Sequence, residues 1–207
     1  MMFNKLRRAR PAGPAKTPPI IVVSGLPRSG TSMMMKMLSE GGLEVVTDAI
    51  RAADEDNPNG YFEFEPVKRL AQGQDEWLKE AGGKLVKVIS ALLEHLPAGY
   101  DYRVVFMERE IKEILASQQK MLKRRSEASR STDDELEAQF REHLRVTKYW
   151  LARQPNMSVR YVDYNQLMAD PDANCQAVAD YLAVPLDVSR MLRVPNEGLY
   201  RNRAPRK

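Results

Sequence analysis

Apolar and polar positions follow two periods along this chain. Ile20-Ile21-Val22-Val23 is an unbroken β-branched run, the pattern of a strand buried on both faces. A glycine-containing loop follows, and Thr31–Glu40 reads as a helix with Met33, Met34, Met35, Met37 and Leu38 around most of its circumference. These methionines suit packing between a sheet and neighbouring helices. Gly41-Gly42 ends that helix, and Leu43–Val46 predicts a short second strand. The stretch 51–66 is polar and contains the turn signal Asn57-Pro58-Asn59-Gly60. A helix is predicted over about Pro66–Ala81, and buried strands at Leu85–Ile89 and Arg103–Met107.

Ile111, Ile114, Leu115, Met121 and Leu122 then mark a helical stripe. Leu136, Phe140, Leu144, Thr147 and Leu151 mark another, and the polar segment 123–135 between them reads as a loop. Ser158–Val162 predicts a fifth strand. Asp170-Pro171 reads as an N-cap with proline at the first helical position, leading a helix to about Leu182. Strands alternating with helices predict an α/β fold, a parallel sheet of about five strands with helices on both faces.

Composition changes this picture little. The 207 residues are 43% hydrophobic and 29% charged, enough for one full core and too ordered for a solvated tail. No apolar run approaches the ~20 residues of a membrane-spanning helix. Charge distribution says more than the net +4. Lys5, Arg7, Arg8, Arg10 and Lys16 lie in a Pro- and Ala-rich arm, 1–19, and Arg201, Arg203, Arg206 and Lys207 in a tail, 199–207; neither end carries an acid. Residues 20–198, read as a single domain, keep 23 of the 32 basic residues against all 28 acids. That balance excludes a general nucleic-acid binder. The lone Cys175 permits no intrachain disulfide and reads as a small core residue. The basic N-terminus has no apolar segment behind it, so a secretory signal is not expected and a cytoplasmic location is the default.

The chemistry concentrates in Gly25-Leu26-Pro27-Arg28-Ser29-Gly30-Thr31-Ser32, between the first strand and the first helix. Glycines let the backbone curl with its N–H groups inward, and the helix N-terminus adds a positive dipole end. Ser29, Thr31 and Ser32 supply hydroxyl donors, and Arg28 a cation inside the loop. The Gly-x4-Gly spacing matches a nucleotide-triphosphatase loop, but Thr31 stands where the phosphate-reaching lysine would be.

Pro27–Ser32, PRSGTS, after a hydrophobic strand resembles the 5′-phosphosulfate loop of sulfotransferases that use PAPS, 3′-phosphoadenosine 5′-phosphosulfate. Arg109 after the strand Arg103–Met107, with Ser117 eight residues on, is similar to the family's pair for the 3′-phosphate. Lys87 in Leu85-Val86-Lys87 resembles the strand-borne lysine of the tyrosylprotein and glycan enzymes, which approaches the transferred sulfate. Val159–Pro171 is similar to the family's closing strand and helix. The resemblance implies a P-loop NTPase-like three-layer fold. It also implies transfer of a sulfuryl group from PAPS to a hydroxyl or amine acceptor, with PAP as product and no metal required. The acceptor would be a small molecule, a glycan or a phenol; oligomeric state, homodimer included, stays open.

The sequence also departs from the family. Arg109-Glu110-Ile111 replaces the common Arg-Asp-Pro, and Ile89 stands where cytosolic members carry a histidine base. His95 and His143 read as ordinary surface or helix residues. The cytosolic Gly-x-x-Gly-x-x-Lys segment is absent, and Arg201 and Arg203 are candidates for its work on the 3′-phosphate. The missing histidine calls for a carboxylate base. Asp48, twenty residues after Arg28, ranks first on the resemblance, then Glu63 in Tyr61-Phe62-Glu63-Phe64-Glu65, then Asp54. A P-loop kinase or phosphotransferase, and a module that binds PAP without turnover, are the alternatives.

Overall fold

The computed structural model describes residues 17–48, 60–124 and 132–195. Most of the basic arm, the tail with Arg201 and Arg203, Asp54, the Asn57–Asn59 turn and most of the polar segment 123–135 lie outside them.

The core of the chain is one parallel sheet. Strand β1 is Ile20–Gly25, β2 Leu85–Lys87, β3 Tyr102–Glu108 and β4 Met157–Asp163, in the order β2-β1-β3-β4. Val22 sits opposite Val86 on one side and Val104 on the other. Val104 in turn pairs with Val159. Every residue of β1 is buried, as its unbroken apolar run requires of a central parallel strand.

Alternation along the strands sends side chains into two separate cores. Ile21, Val23, Leu85, Val105, Met107 and Val162 face one layer. It consists of α1 (Thr31–Glu40), α4 (Tyr164–Ala169), α5 (Pro171–Leu182) and α6 (Val188–Met191). The four α1 methionines are all buried there. Ile20, Val22, Val86, Val104 and Phe106 face the other layer, with Leu151 of α3 (Asp133–Leu151) and residues of three 3₁₀ helices, Glu65–Gln72, Glu76–Glu80 and Ser90–His95. Helix α2 (Ile111–Arg124) follows β3 directly and buries Ile111, Ile114 and Leu115.

Two expectations need correction. The sheet has four strands, not five, because Leu43–Val46 makes only a bridge between Val45 and Leu85. The Val46 amide donates to the Leu85 carbonyl and the Leu85 amide to Glu44, 2.8 Å each, and no longer ladder forms beside the three-residue β2. The helix expected over Pro66–Ala81 is two 3₁₀ helices. Gly73, in the left-handed region at φ 75°, ends the first; its amide and that of Gln74 donate back to Leu70 and Arg69.

Local signals set the other boundaries. The Gly41 amide donates to the Met37 carbonyl at 2.9 Å and closes α1. The Asp170 carboxylate accepts from the Ala173 amide at 3.1 Å with Pro171 at the first position of α5. Thr132 and Glu135 cap α3 reciprocally.

Candidate functional site

Because all four strands run the same way, their C-terminal ends share one edge of the sheet. The loop after β1, Lys87 ending β2 and Arg109 after β3 therefore meet there, where ligands of open α/β sheets bind.

The loop is shaped by backbone conformations that few residues adopt. Gly25 has φ 144°, and a Cβ there would stand 2.5 Å from the Met107 carbonyl oxygen and 2.6 Å from Ser29 Oγ. Gly30, just before α1, has φ 101°, and its Cβ would fall 2.5 Å from the Tyr164 ring. Only glycine fits either place. Arg28 lies between them at φ 71°, a left-handed conformation that costs a non-glycine residue roughly 1–2 kcal/mol. Pro27 is exposed at the loop's turn, and Ser29 is 1% exposed. The Ser29 hydroxyl has no hydrogen-bond partner among the described residues, an arrangement that costs free energy unless a ligand or water satisfies it. Thr31 is buried at the first turn of α1 and Ser32 half-buried beside it.

Two arginines organise this end of the sheet. Arg28 Nε donates to Ser117 Oγ at 2.9 Å, joining the loop to α2 across 89 residues of sequence. Arg109 Nη1 donates to the Arg28 carbonyl oxygen at 3.2 Å, and its Nε to Glu113 Oε2 at 2.9 Å. Asn165 Nδ2 donates to the other carboxylate oxygen of Glu113 at 3.0 Å. The Arg109 guanidinium lies over the Tyr164 ring, 4.4 Å from its centroid. Arg109 and Glu113 side chains are 8% and 2% exposed, so the ion pair is almost wholly desolvated. The predicted residues Arg28, Arg109 and Ser117 are thus together.

Lys87 stands on the other side of the loop. Its Nζ donates to Ser32 Oγ at 3.1 Å and to the Tyr61 carbonyl oxygen at 2.8 Å. That second bond pins the Tyr61–Glu65 segment beside the end of β2. Phe62 packs against one core and Phe64 against the other, where it meets Trp77 edge-on at 5.4 Å.

Of the described candidate bases, Glu63 lies in this segment and Asp48 is bonded to it. The Asp48 carboxylate accepts from the Glu65 amide at 2.6 Å, at the start of a 3₁₀ helix. The Glu63 carbonyl oxygen accepts from the Thr47 hydroxyl at 2.9 Å, and its carboxylate lies 3.7 Å from Lys68 Nζ. His143 sits on α3, its Nε2 2.8 Å from the buried hydroxyl of Ser90. Among the described residues no group of three or more His, Cys, Asp or Glu is placed to hold a metal ion, and no helix is long and apolar enough to cross a membrane.

Sequence reasoning missed Glu113, Tyr164 and Asn165. A signal existed for Glu113, four residues after Arg109 and hence one helical turn away. Nothing in the sequence tells of its burial, or of the Tyr61 carbonyl as a partner for Lys87.

No protein-family model and no curated protein matches the chain. Solved structures do. A sulfotransferase from Mycobacterium tuberculosis aligns with a TM-score of 0.57 at 16% identity, over 88% of this chain and 72% of its own. The sulfotransferase domain from the curacin biosynthetic pathway aligns with a TM-score of 0.51 at 14% identity, over 88% and 79%. A mouse sulfotransferase complexed with PAP aligns with a TM-score of 0.52 at 12% identity, over 92% and 68%. At these identities the likeness is one of architecture: the chain has the α/β fold of the sulfotransferases.

Proposed function

We propose that this chain is a sulfotransferase that moves a sulfuryl group from PAPS to a hydroxyl or amine acceptor. The observation that carries the reading is the convergence of the Gly25–Ser32 loop, Arg28, Ser117 and Arg109 on one edge of the sheet, beside Lys87. A buried unpartnered Ser29 hydroxyl and two glycine positions closed to any Cβ fit an anion held by backbone amides. When bound, PAPS supplies the sulfuryl group, whose bond to the phosphate oxygen breaks as one to the acceptor atom forms.

The chain's own residues then divide the work. Loop amides, with Ser29, Thr31 and Ser32, bind the phosphosulfate end, and the Arg28 guanidinium balances charge on the leaving phosphate. Lys87, one hydrogen bond from Ser32, neutralises charge on the sulfuryl oxygens. Arg109 and Ser117 bind the 3′-phosphate, helped by Arg201 and Arg203 of the tail. A carboxylate takes the acceptor's proton, a role worth roughly 10²–10⁴ in rate. Asp48 is the first candidate, because Tyr61–Glu65 links it to Lys87, and Glu63 the second. Sulfuryl transfer resembles phosphoryl transfer in depending on positioning and electrostatics, with less charge to neutralise, so no metal is required.

Incubation with PAPS and a panel of phenols, sugars, alcohols and amines tests this. PAP and a sulfated product should form without a divalent metal, and Asp48→Asn should slow the reaction. Full turnover in Asp48→Asn would remove that residue from the mechanism. Magnesium-dependent phosphoryl transfer from ATP, with no sulfated product, would overturn the reading in favour of a kinase.

A further inference from the structure

We infer that Glu113 is a positioning residue that sets the nucleotide preference of the site, by fixing the guanidinium of Arg109 where a 3′-phosphate is read. The inference rests on the reading of Arg109 given above. Glu113 is almost fully buried, yet both its oxygens are used: one accepts from Arg109 Nε at 2.9 Å, the other from Asn165 Nδ2 at 3.0 Å. A carboxylate is not buried this deeply on α2 for packing alone, since desolvation opposes it. Its partners explain the placement.

Arg109 has a long stem, and a guanidinium on such a stem has many orientations. Here it is fixed on three sides, by Glu113 at Nε, by the Arg28 carbonyl at Nη1 and by the Tyr164 ring against its face. Of these three, Glu113 is the charged one, and a charge-assisted hydrogen bond is roughly twice as strong as a neutral one. Asn165, at the second position of α4, ties the carboxylate to the element that follows β4 and so gives it a second anchor besides Arg109. Glu113 also offsets the arginine's charge before any ligand arrives. An anion is then selected by the direction of the arginine's N–H groups more than by net charge, and a guanidinium with fixed donors distinguishes a phosphate from a hydroxyl at the 3′ position.

The test compares PAP with adenosine 5′-monophosphate, which lacks the 3′-phosphate, by calorimetric titration into the full chain. Wild type should bind PAP more tightly. Glu113→Gln should reduce that preference at least tenfold while leaving the affinity for adenosine monophosphate within about twofold, and Glu113→Asp should restore part of the preference. If Glu113→Gln does not fold, Asn165→Ala, which removes one donor to the carboxylate and keeps the carboxylate itself, should still lower the preference measurably. A Glu113→Gln or Asn165→Ala protein that keeps the wild-type ratio would overturn the inference. So would equal weakening of both ligands, the mark of a purely structural role. A wild-type protein with no preference for PAP would instead overturn the assignment of Arg109 itself.

Discussion

Replacing Arg109 with alanine removes the guanidinium that pairs with the buried Glu113 carboxylate. The carboxylate is 2% exposed and loses the guanidinium 2.9 Å away, while Asn165 remains its described neutral donor. Removing one partner of a buried ion pair costs about 3–5 kcal/mol, because the other charge stays desolvated. Loss of the guanidinium over Tyr164 adds up to about 2 kcal/mol. For a chain of this length each kcal/mol moves the melting temperature by roughly 2–4 °C, so the ~3–7 kcal/mol lost should lower it by roughly 6–28 °C at pH 7. Calorimetric melts of wild type, Arg109→Ala and Arg109→Met with Glu113→Gln check this. The double variant, which removes both charges of the pair, should regain most of the loss. A single variant melting within about 2 °C of wild type would refute the buried-pair argument.

Further outcomes follow from the same geometry. Gly30→Ala places a Cβ 2.5 Å from the Tyr164 ring at a positive φ, so it should abolish nucleotide binding in titrations while the far-UV spectrum shows the remaining helices intact. Lys87→Ala should lower turnover about 10²–10³-fold with little change in PAP affinity, because its proposed role is in the transition state; equal loss in both would move Lys87 to ground-state binding. Burial, with a smaller contribution from Asp172, pushes the Cys175 thiol up to about 11, and the side chain is fully buried. A thiol reagent at pH 8 should therefore modify no cysteine in the native protein and one in denaturant. Rapid native modification would contradict the packing of α5.

What was legible in the sequence had a strong local cause. The β1 run, the Gly41 stop of α1 and the Asp170-Pro171 start of α5 each rest on neighbouring residues, and each stands where expected. The Thr132–Glu135 capping box was equally readable and places the start of α3 inside the segment expected to be a loop. Leu43–Val46 misled because β propensity does not supply a partner long enough to pair with; β2 has three residues. Pro66–Ala81 misled because Gly73 falls inside it and, at positive φ, ends the first of two 3₁₀ helices. The site divides the same way. Gly25–Ser32, Arg109, Ser117 and Lys87 were legible as motifs, and the structure sets them on one edge. Glu113, Asn165 and Tyr164 were not, since burial of a polar side chain depends on elements distant in sequence: the β3–β4 pairing sets the start of α4 beside Arg109.

On the proposed reading, this edge of the sheet binds a nucleotide bearing both 5′ and 3′ anions. The most direct measurement is a thermal-shift titration with PAP, ATP and adenosine monophosphate, each without and with magnesium. A bound ligand raises the melting temperature by mass action. The account predicts stabilisation by PAP above the other two, independent of magnesium and lost in Arg28→Ala. Magnesium-dependent stabilisation by ATP, with none from PAP, would contradict it.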